Sequence, residues 1–301
     1  MVDLRLSEMA SVPHINGRKR GLKYLVTGAN GYIGRNVVNS LVSRGQKVVI
    51  ATRSKMSRDD GVEVFEGDVL VPNPDIFEET GRPDVLIHLA WEDGFIHSSP
   101  KHLENLPAHI TFLQNMLAGG LRHVVGTGTS HEIGFHIGPI VEGTPTFPQH
   151  AYGIAKNHLR LVQELLCKEY TAVNQWVRCF YIVGDDANNN SIFKKLLQAE
   201  ADGKAEFPLN SGELLFDFID VAELGEMIAD VAAQDQITGT INCCSGEPVT
   251  LKTMVLRFIE SHNLKIKPTW GAFPMRAYDS RAIWGDATKI HAIRQAKGEA
   301  R

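Results

Sequence analysis

Between an apolar run, Tyr24–Thr27, and an amphipathic stretch, Ile33–Arg44, the chain carries Thr27-Gly28-Ala29-Asn30-Gly31-Tyr32-Ile33-Gly34. Three glycines at this spacing, in a turn from strand into helix, leave few folds open. They permit a tight turn and close backbone approach, and they aim a helix N-terminus at whatever lies beyond the strand. A turn that binds nothing could show the same glycines, so the rest of the chain has to decide. Further strand-like runs fall at Lys47–Ala51, Val62–Phe65, Val85–Leu89, His123–Gly126 and Gln175–Cys179, with helix-like stretches such as Ala151–Tyr170 between them. This alternation predicts an α/β fold, a doubly wound parallel sheet covered by helices on both faces. Right-handed crossovers then leave a ligand crevice at the carboxyl ends of the strands.

The chain has 301 residues, enough for a full core, with 43% hydrophobic and 22% charged residues and a formal net charge of -4. That balance argues against a nucleic-acid surface, and no apolar run approaches the length of a membrane span. The four cysteines, Cys167, Cys179, Cys243 and Cys244, lack metal or disulfide-framework spacing; reduced, buried thiols are expected. No metal site is read from the sequence. Asp3, Arg5 and Glu8 interrupt the only apolar stretch at the N-terminus, so no signal peptide is expected and a cytoplasmic location follows. Residues 1–21 read as a polar extension, 22–184 as a dinucleotide-binding domain, and 185–301 as a smaller substrate-binding lobe. Parts of 215–246 are expected to return to the main sheet.

A pyrophosphate is the natural ligand of the glycine turn, which marks Gly28, Asn30, Gly31, Tyr32, Ile33 and Gly34 as cofactor contacts. In such folds an acid ending the second strand accepts from the 2′-hydroxyl of NAD. Here the segment reads Thr52-Arg53-Ser54-Lys55, with no acid and two cations. A 2′-phosphate suits that pattern, so NADP(H) is expected over NAD(H), with Arg53 as its contact. Asp68 ends the third strand, where its carboxylate can accept from the adenine amino group.

At mid-chain stands Tyr152-Gly153-Ile154-Ala155-Lys156. A phenol is a poor acid–base at neutral pH unless its anion is stabilised, and a lysine one helical turn later can supply the charge. The spacing is common, but its place at the start of a helix after the fifth strand of a dinucleotide-binding sheet gives it weight. Hydroxyls that could bind the reacting oxygen end that strand, in Gly126-Thr127-Gly128-Thr129-Ser130.

At these residues the chain resembles the extended short-chain dehydrogenase/reductase family, rich in nucleotide-sugar epimerases, dehydratases and reductases. The resemblance spans about residues 22–290. It includes Gly67-Asp68-Val69, His88-Leu89-Ala90-Trp91, Glu142 to Pro148 leading into Tyr152, and Asn242-x-x-Ser245-Gly246. It implies that Thr129 is the catalytic hydroxyl, with Ser130 its competitor, that Tyr152 handles the substrate proton, and that Lys156 also holds the nicotinamide ribose. Val69, Leu89, Ala90, Trp91 and Cys179 would line the cofactor. Ser130, His131, Asn190 and Arg276 would meet the substrate. A homodimer built on helices near 100–118 and 151–170 is implied as well.

Dehydratases of the family carry Thr-Asp-Glu where this chain has Thr129-Ser130-His131, so water elimination is not expected. Glu132 is one residue out of register. What remains is reduction of a 4-keto, 6-deoxy nucleotide sugar by NADPH, with an NAD-dependent 4-epimerase as the alternative. Phe216 stands where family epimerases hold an Arg on the diphosphate, and Tyr181 where they hold an Asn. These departures make a non-nucleotide ketone or aldehyde the rival substrate. A cofactor sensor without turnover is the rival from outside catalysis, and the retained Tyr152 and Lys156 speak against it.

Overall fold

The computed structural model describes residues 21–55, 59–184, 191–275 and 280–299, and in it the predicted apolar runs are strands of one parallel sheet. The first half of the chain runs β1 (Lys23–Thr27), α1 (Tyr32–Ser43), β2 (Lys47–Thr52), β3 (Glu63–Glu66), α2 (Ile76–Glu79) and β4 (Val85–His88). It continues through α3 (Lys101–Glu104), α4 (Leu106–Gly119), β5 (His123–Thr129), β6 (Ile137–Ile140) and α5 (Ala151–Glu169). The second half runs β7 (Val173–Cys179), β8 (Tyr181–Val183), α6 (Ile192–Ala201), β9 (Glu206–Pro208), β10 (Leu215–Asp220) and α7 (Val221–Ala232). Last come β11 (Gly239–Cys243), β12 (Pro248–Thr250), α8 (Leu251–Ser261), β13 (Lys267–Thr269), β14 (Ala282–Gly285) and α9 (Thr288–Glu299).

Seven strands, in the order β11-β7-β5-β4-β1-β2-β3, form the main sheet, and every neighbouring pair is parallel. The order reverses direction at β1, between β2 and β4, which is where a doubly wound sheet opens a crevice. Side chains on β1 alternate between two cores. Tyr24 and Val26 pack with Val37, Val38 and Leu41 of α1 and with Leu224 and Ile228 of α7. Leu25 packs on the opposite face with Leu113 and Leu117 of α4 and Leu159 of α5. Both faces are dry, as a parallel sheet requires.

Helix ends follow the residues present. Gly45, at φ +67, closes α1 with N–H bonds back to Val42 and Leu41 through itself and Gln46. Asp220 caps α7 by accepting from the Ala222 and Glu223 amides. The stretch expected as one helix near 100–118 is two, α3 and α4, broken at Asn105.

A second sheet joins β12, β10, β14 and β6, with β8 also on β10, and β13 pairs β9 separately. Asp217 on β10 pins this lobe to the main sheet. It is fully buried, and its carboxylate accepts from the Ser245, Gly246 and Gly285 amides at 2.8, 2.9 and 3.2 Å and from the Ser245 hydroxyl at 2.7 Å. A third apolar cluster, built on Phe193 and Leu196 of α6 and Val255 of α8, supports the outer wall of the lobe. A large cleft runs between lobe and sheet, over the carboxyl ends of β1, β4 and β5. Among the described residues no helix is long and apolar enough to cross a membrane.

Candidate active site

Gly28 follows β1 with φ +67, and a Cβ there would stand 2.7 Å from the Ala90 nitrogen and 2.8 Å from the Leu89 carbonyl carbon. The turn is thus pressed against the strand end that faces it. Thr27 holds the two together, because its hydroxyl accepts from the Leu89 and Ala90 amides at 3.2 and 3.1 Å. With both lone pairs used, its proton goes to His88 Nδ1 at 2.8 Å. Burial pushes His88 well below the usual histidine range, so the neutral ring carries its proton on Nε2 and donates to His109 Nδ1 at 2.9 Å. His109 is likewise pushed down by burial, to about 3. This neutral relay sets the backbone of residues 88–90. Sequence reasoning found His88-Leu89-Ala90 but not Thr27 or His109 as its supports.

Gly28, Asn30, Gly31, Tyr32, Ile33 and Gly34 all line the cleft, together with Arg53, Asp68, Val69, Leu89, Ala90, Trp91 and Cys179. The glycine turn leads into α1 with no side-chain cap at Gly31, so the first amides of the helix face the cleft as a dinucleotide pyrophosphate requires. Asn30 donates to the Thr52 hydroxyl at 3.1 Å, and the Tyr32 hydroxyl donates to the Gly184 carbonyl at 2.6 Å, bridging the cleft. These residues fit the expected cofactor. Arg53, however, is paired with Glu92 at 2.9 Å, a contact that holds the Glu92 carboxyl below its ordinary value. The Asp68 carboxylate accepts from the Leu70 amide at 3.0 Å.

Thr129, Tyr152 and Lys156 also meet in the cleft. Thr129 ends β5 and caps the 3-10 turn Ser130–Glu132, its side chain accepting from the His131 amide. Burial raises the Tyr152 phenol above its ordinary value, Cys179 and Glu132 add to the rise, and the neighbouring Thr129 hydroxyl opposes it. Lys156 is buried, donates to the Thr127 carbonyl at 2.9 Å and lies 3.8 Å from the centre of the Trp91 ring. Burial pushes its ammonium down to about 7. The Trp91 indole is fixed in turn, donating to His102 Nδ1 at 3.0 Å. Sequence reasoning placed Trp91 at the cofactor and missed its contact with Lys156.

The competitor Ser130 lines a small separate cavity instead of the cleft. Glu132 is fully buried: it accepts from the Thr129 amide at 2.8 Å and the Trp176 indole at 2.9 Å and pairs with Arg178 at 3.2 Å. Its carboxylate is committed to holding Thr129 in place. On the lobe side Tyr181 and Phe216 stack at 3.9 Å, next to Phe218. His131 lines the cleft. Asn190 and Arg276 lie outside the described residues. All four cysteines are buried free thiols.

A family model, "NAD dependent epimerase/dehydratase family", matches residues 24–244. The chain is 43% identical over 269 residues, 88% of its length and 99% of the relative's, to a dTDP-6-deoxy-L-talose 4-dehydrogenase (NAD(+)) of Aggregatibacter actinomycetemcomitans. It is 26% identical to a UDP-glucose 4-epimerase of Erwinia amylovora, covering 89% and 90% of the two chains. Among solved structures, MoeE5 in complex with UDP-glucuronic acid and NAD superposes with a TM-score of 0.75 at 22% identity, over 90% and 92% of the two chains. The chain therefore belongs to the NAD-dependent epimerase/dehydratase family, within the extended short-chain dehydrogenases/reductases.

Proposed function

We propose that this protein interconverts a 4-keto and a 4-hydroxy group on a 6-deoxy nucleotide sugar, as a one-step reductase or dehydrogenase. One observation carries the reading: Thr129, Tyr152 and Lys156 converge in the cleft, while the neighbouring carboxylate Glu132 is locked against Arg178. That set can move one proton to or from an oxygen, and it lacks the acid pair of the dehydratases. The resemblance to a 6-deoxysugar 4-dehydrogenase over nearly all of that relative supports the same reading. The aromatic wall of Tyr181 and Phe216 offers a flat apolar surface suited to a nucleobase.

Gly28 to Gly34 would hold the pyrophosphate of the dinucleotide and Lys156 its nicotinamide ribose; the bound cofactor supplies or accepts the hydride. Thr129 orients the substrate oxygen through its hydroxyl. Tyr152 gives its phenolic proton to that oxygen as the C–H bond forms, and takes it back in the oxidative direction. Lys156 then stabilises the phenolate that remains, offsetting the burial that raises Tyr152 in the cofactor-free site. For the cofactor we favour NAD(H). The Arg53 cation expected to read a 2′-phosphate is already paired with Glu92, and the 43%-identical relative is named for NAD(+). NADP(H) remains the second reading, because β2 ends without an acid. Exposed Ile154, Leu161 and Leu165 along α5 support pairing with a second copy through that helix.

The test is to supply a 4-keto-6-deoxy deoxythymidine-diphosphate sugar with NADH or NADPH and follow the loss of the reduced nicotinamide. One equivalent of cofactor oxidised per equivalent of sugar reduced is expected. Interconversion of a UDP-hexose pair, with no net change in cofactor and no reduction of the keto sugar, would instead establish the epimerase.

A further inference from the structure

Three histidines from separate parts of the chain meet beside Tyr152. His97 lies in the loop after β4, His131 in the turn after β5, and His150 is the N-cap of α5. Their ring centres are 4.3 Å (His97–His131), 4.6 Å (His97–His150) and 4.9 Å (His131–His150) apart. One ring nitrogen from each lies within 4.8 Å of the other two. We propose that His97, His131 and His150 form a binding site for one divalent transition cation of the zinc or cobalt type, with its fourth position open to the cleft.

Imidazole donors without a carboxylate select zinc, cobalt, nickel or copper over magnesium and calcium. Zinc–nitrogen bonds of about 2.0–2.1 Å in a tetrahedral site call for nitrogens roughly 3.4 Å apart, so small ring rotations close the cluster on an ion. The three residues are half-buried, reachable yet partly dehydrated. Each imidazole binds through a ring nitrogen in its neutral form.

The surrounding backbone holds the three segments together. The Tyr152 amide donates to the His97 carbonyl at 3.1 Å, and a Cβ on Gly153 would stand 2.5 Å from the His131 carbonyl oxygen. The first turn of α5 is thus packed directly onto both ligand-bearing segments. His150 gives up something to bind: its Nδ1 accepts from the Gly153 amide at 3.3 Å, a long cap bond. An ion on Nδ1 replaces that bond, and an ion on Nε2 places a proton on Nδ1 and breaks it.

His97 and His131 line the cleft, whereas His131 and His150 line the small cavity beside it that also holds Ser130 and Gln149. The cluster is therefore the partition between the two spaces. Three protein ligands facing an open space leave one position for water or a substrate oxygen.

The test uses the untagged full chain, stripped with chelator and titrated with cobalt(II). One equivalent should bring up visible ligand-field bands, and one equivalent of zinc should bleach them and raise the melting temperature. His97→Ala and His131→Ala should each weaken cobalt binding at least tenfold, and His158→Gln, an exposed histidine on α5, should leave it unchanged. Absence of bands at saturating cobalt overturns the proposal. So does equal affinity in a His97→Ala/His150→Ala double variant, or an anomalous zinc peak in soaked crystals lying elsewhere. The spectra and the diffraction require only the unaltered chain, and none of these readouts uses sugar or nicotinamide, so they are separate from the dehydrogenase reading.

Discussion

The two walls of the cleft are built from different material. The wall against the parallel sheet is mostly backbone: the glycine turn, the strand end at Leu89–Ala90, and the hydroxyl of Thr27 that joins them. The lobe wall is mostly side chain, with Tyr181 stacked on Phe216 and Phe218 and Phe193 behind them. A wall of backbone cannot be altered without disturbing the fold, whereas side chains can be exchanged one at a time. The first wall should therefore fail as a unit, and the second should yield gradually.

Tyr152 stands where the walls meet, and it should give the largest effect. Tyr152→Phe removes the transferable proton and keeps the ring, so kcat should fall by about 10³-fold or more, near 4 kcal/mol. Cofactor affinity measured by titration should stay within a few-fold. A variant retaining a tenth of the rate would place the proton donor elsewhere.

On the backbone wall, Gly28 and Gly45 share φ +67 and differ in what surrounds them. A Cβ on Gly28 meets the backbone of residues 89–90, whereas one on Gly45 meets nothing within 4 Å. Gly45→Ala should cost about 1 kcal/mol, the conformational term alone, and leave cofactor binding intact. Gly28→Ala should cost about 3 kcal/mol and weaken dinucleotide binding at least 100-fold. Equal penalties in denaturant melts would mean that the close approach at Gly28 is not what the glycine serves.

Lys156 lies on the same wall but carries a charge that burial opposes. Its folded pKa of about 7 lies below the ordinary lysine value of about 10.4 expected when unfolded. Between these values the unfolded chain holds more protons, so stability rises with pH across that window. The penalty is full below about pH 7 and fades toward pH 10. Lys156→Met should thus stabilise the cofactor-free protein by on the order of 2 kcal/mol near pH 6.5, with the gain shrinking by about pH 9.5. Activity should collapse in the same variant. A gain independent of pH would assign it to packing against Trp91 and not to charge.

How much was legible follows the same division. The glycine turn, the strand–helix alternation and the Tyr152–Lys156 spacing are local patterns, and each lies where the sequence places it: Thr129, Tyr152 and Lys156 share one cleft. The supports of that cleft are not local. Thr27, His88 and His109 form a relay across 21 and 61 positions, and no periodicity announces it. Glu132 and Arg178 pair over 46 positions for the same reason. The short strands β6, β8, β9, β12, β13 and β14 all lie outside the main sheet, and so outside the strand–helix alternation that marks the equally short β3 and β4. His97, His131 and His150 lie 34 and 19 positions apart, far outside any metal-ligand motif.

The lobe wall should respond more mildly. Tyr181→Leu keeps apolar area and loses the stack on Phe216, a term of about 1 kcal/mol. KM for the nucleotide sugar should rise about fivefold, with kcat and cofactor affinity nearly unchanged. A fall in kcat equal to the rise in KM would mean that the aromatic pair positions the reacting carbon and does not merely hold the far end of the substrate.

The smallest effect belongs to Arg53, an exposed side chain at the edge of the backbone wall. Arg53 is 65% exposed and Glu92 30% exposed, so their ion pair is worth only about 0.5 kcal/mol. A 2′-phosphate has to draw Arg53 away from Glu92, while a 2′-hydroxyl makes no such demand. Glu92→Gln keeps an oxygen to accept from Asn105, which lies 3.1 Å away, and removes the competing charge. The ratio of kcat/KM for NADPH to that for NADH should then rise about threefold at low salt, and the gain should shrink at high salt as screening shortens the reach of the freed cation. A ratio unmoved by the substitution at any salt would mean that Arg53 does not face the 2′ position. Thr52 and the helix N-terminus would then set cofactor choice without it.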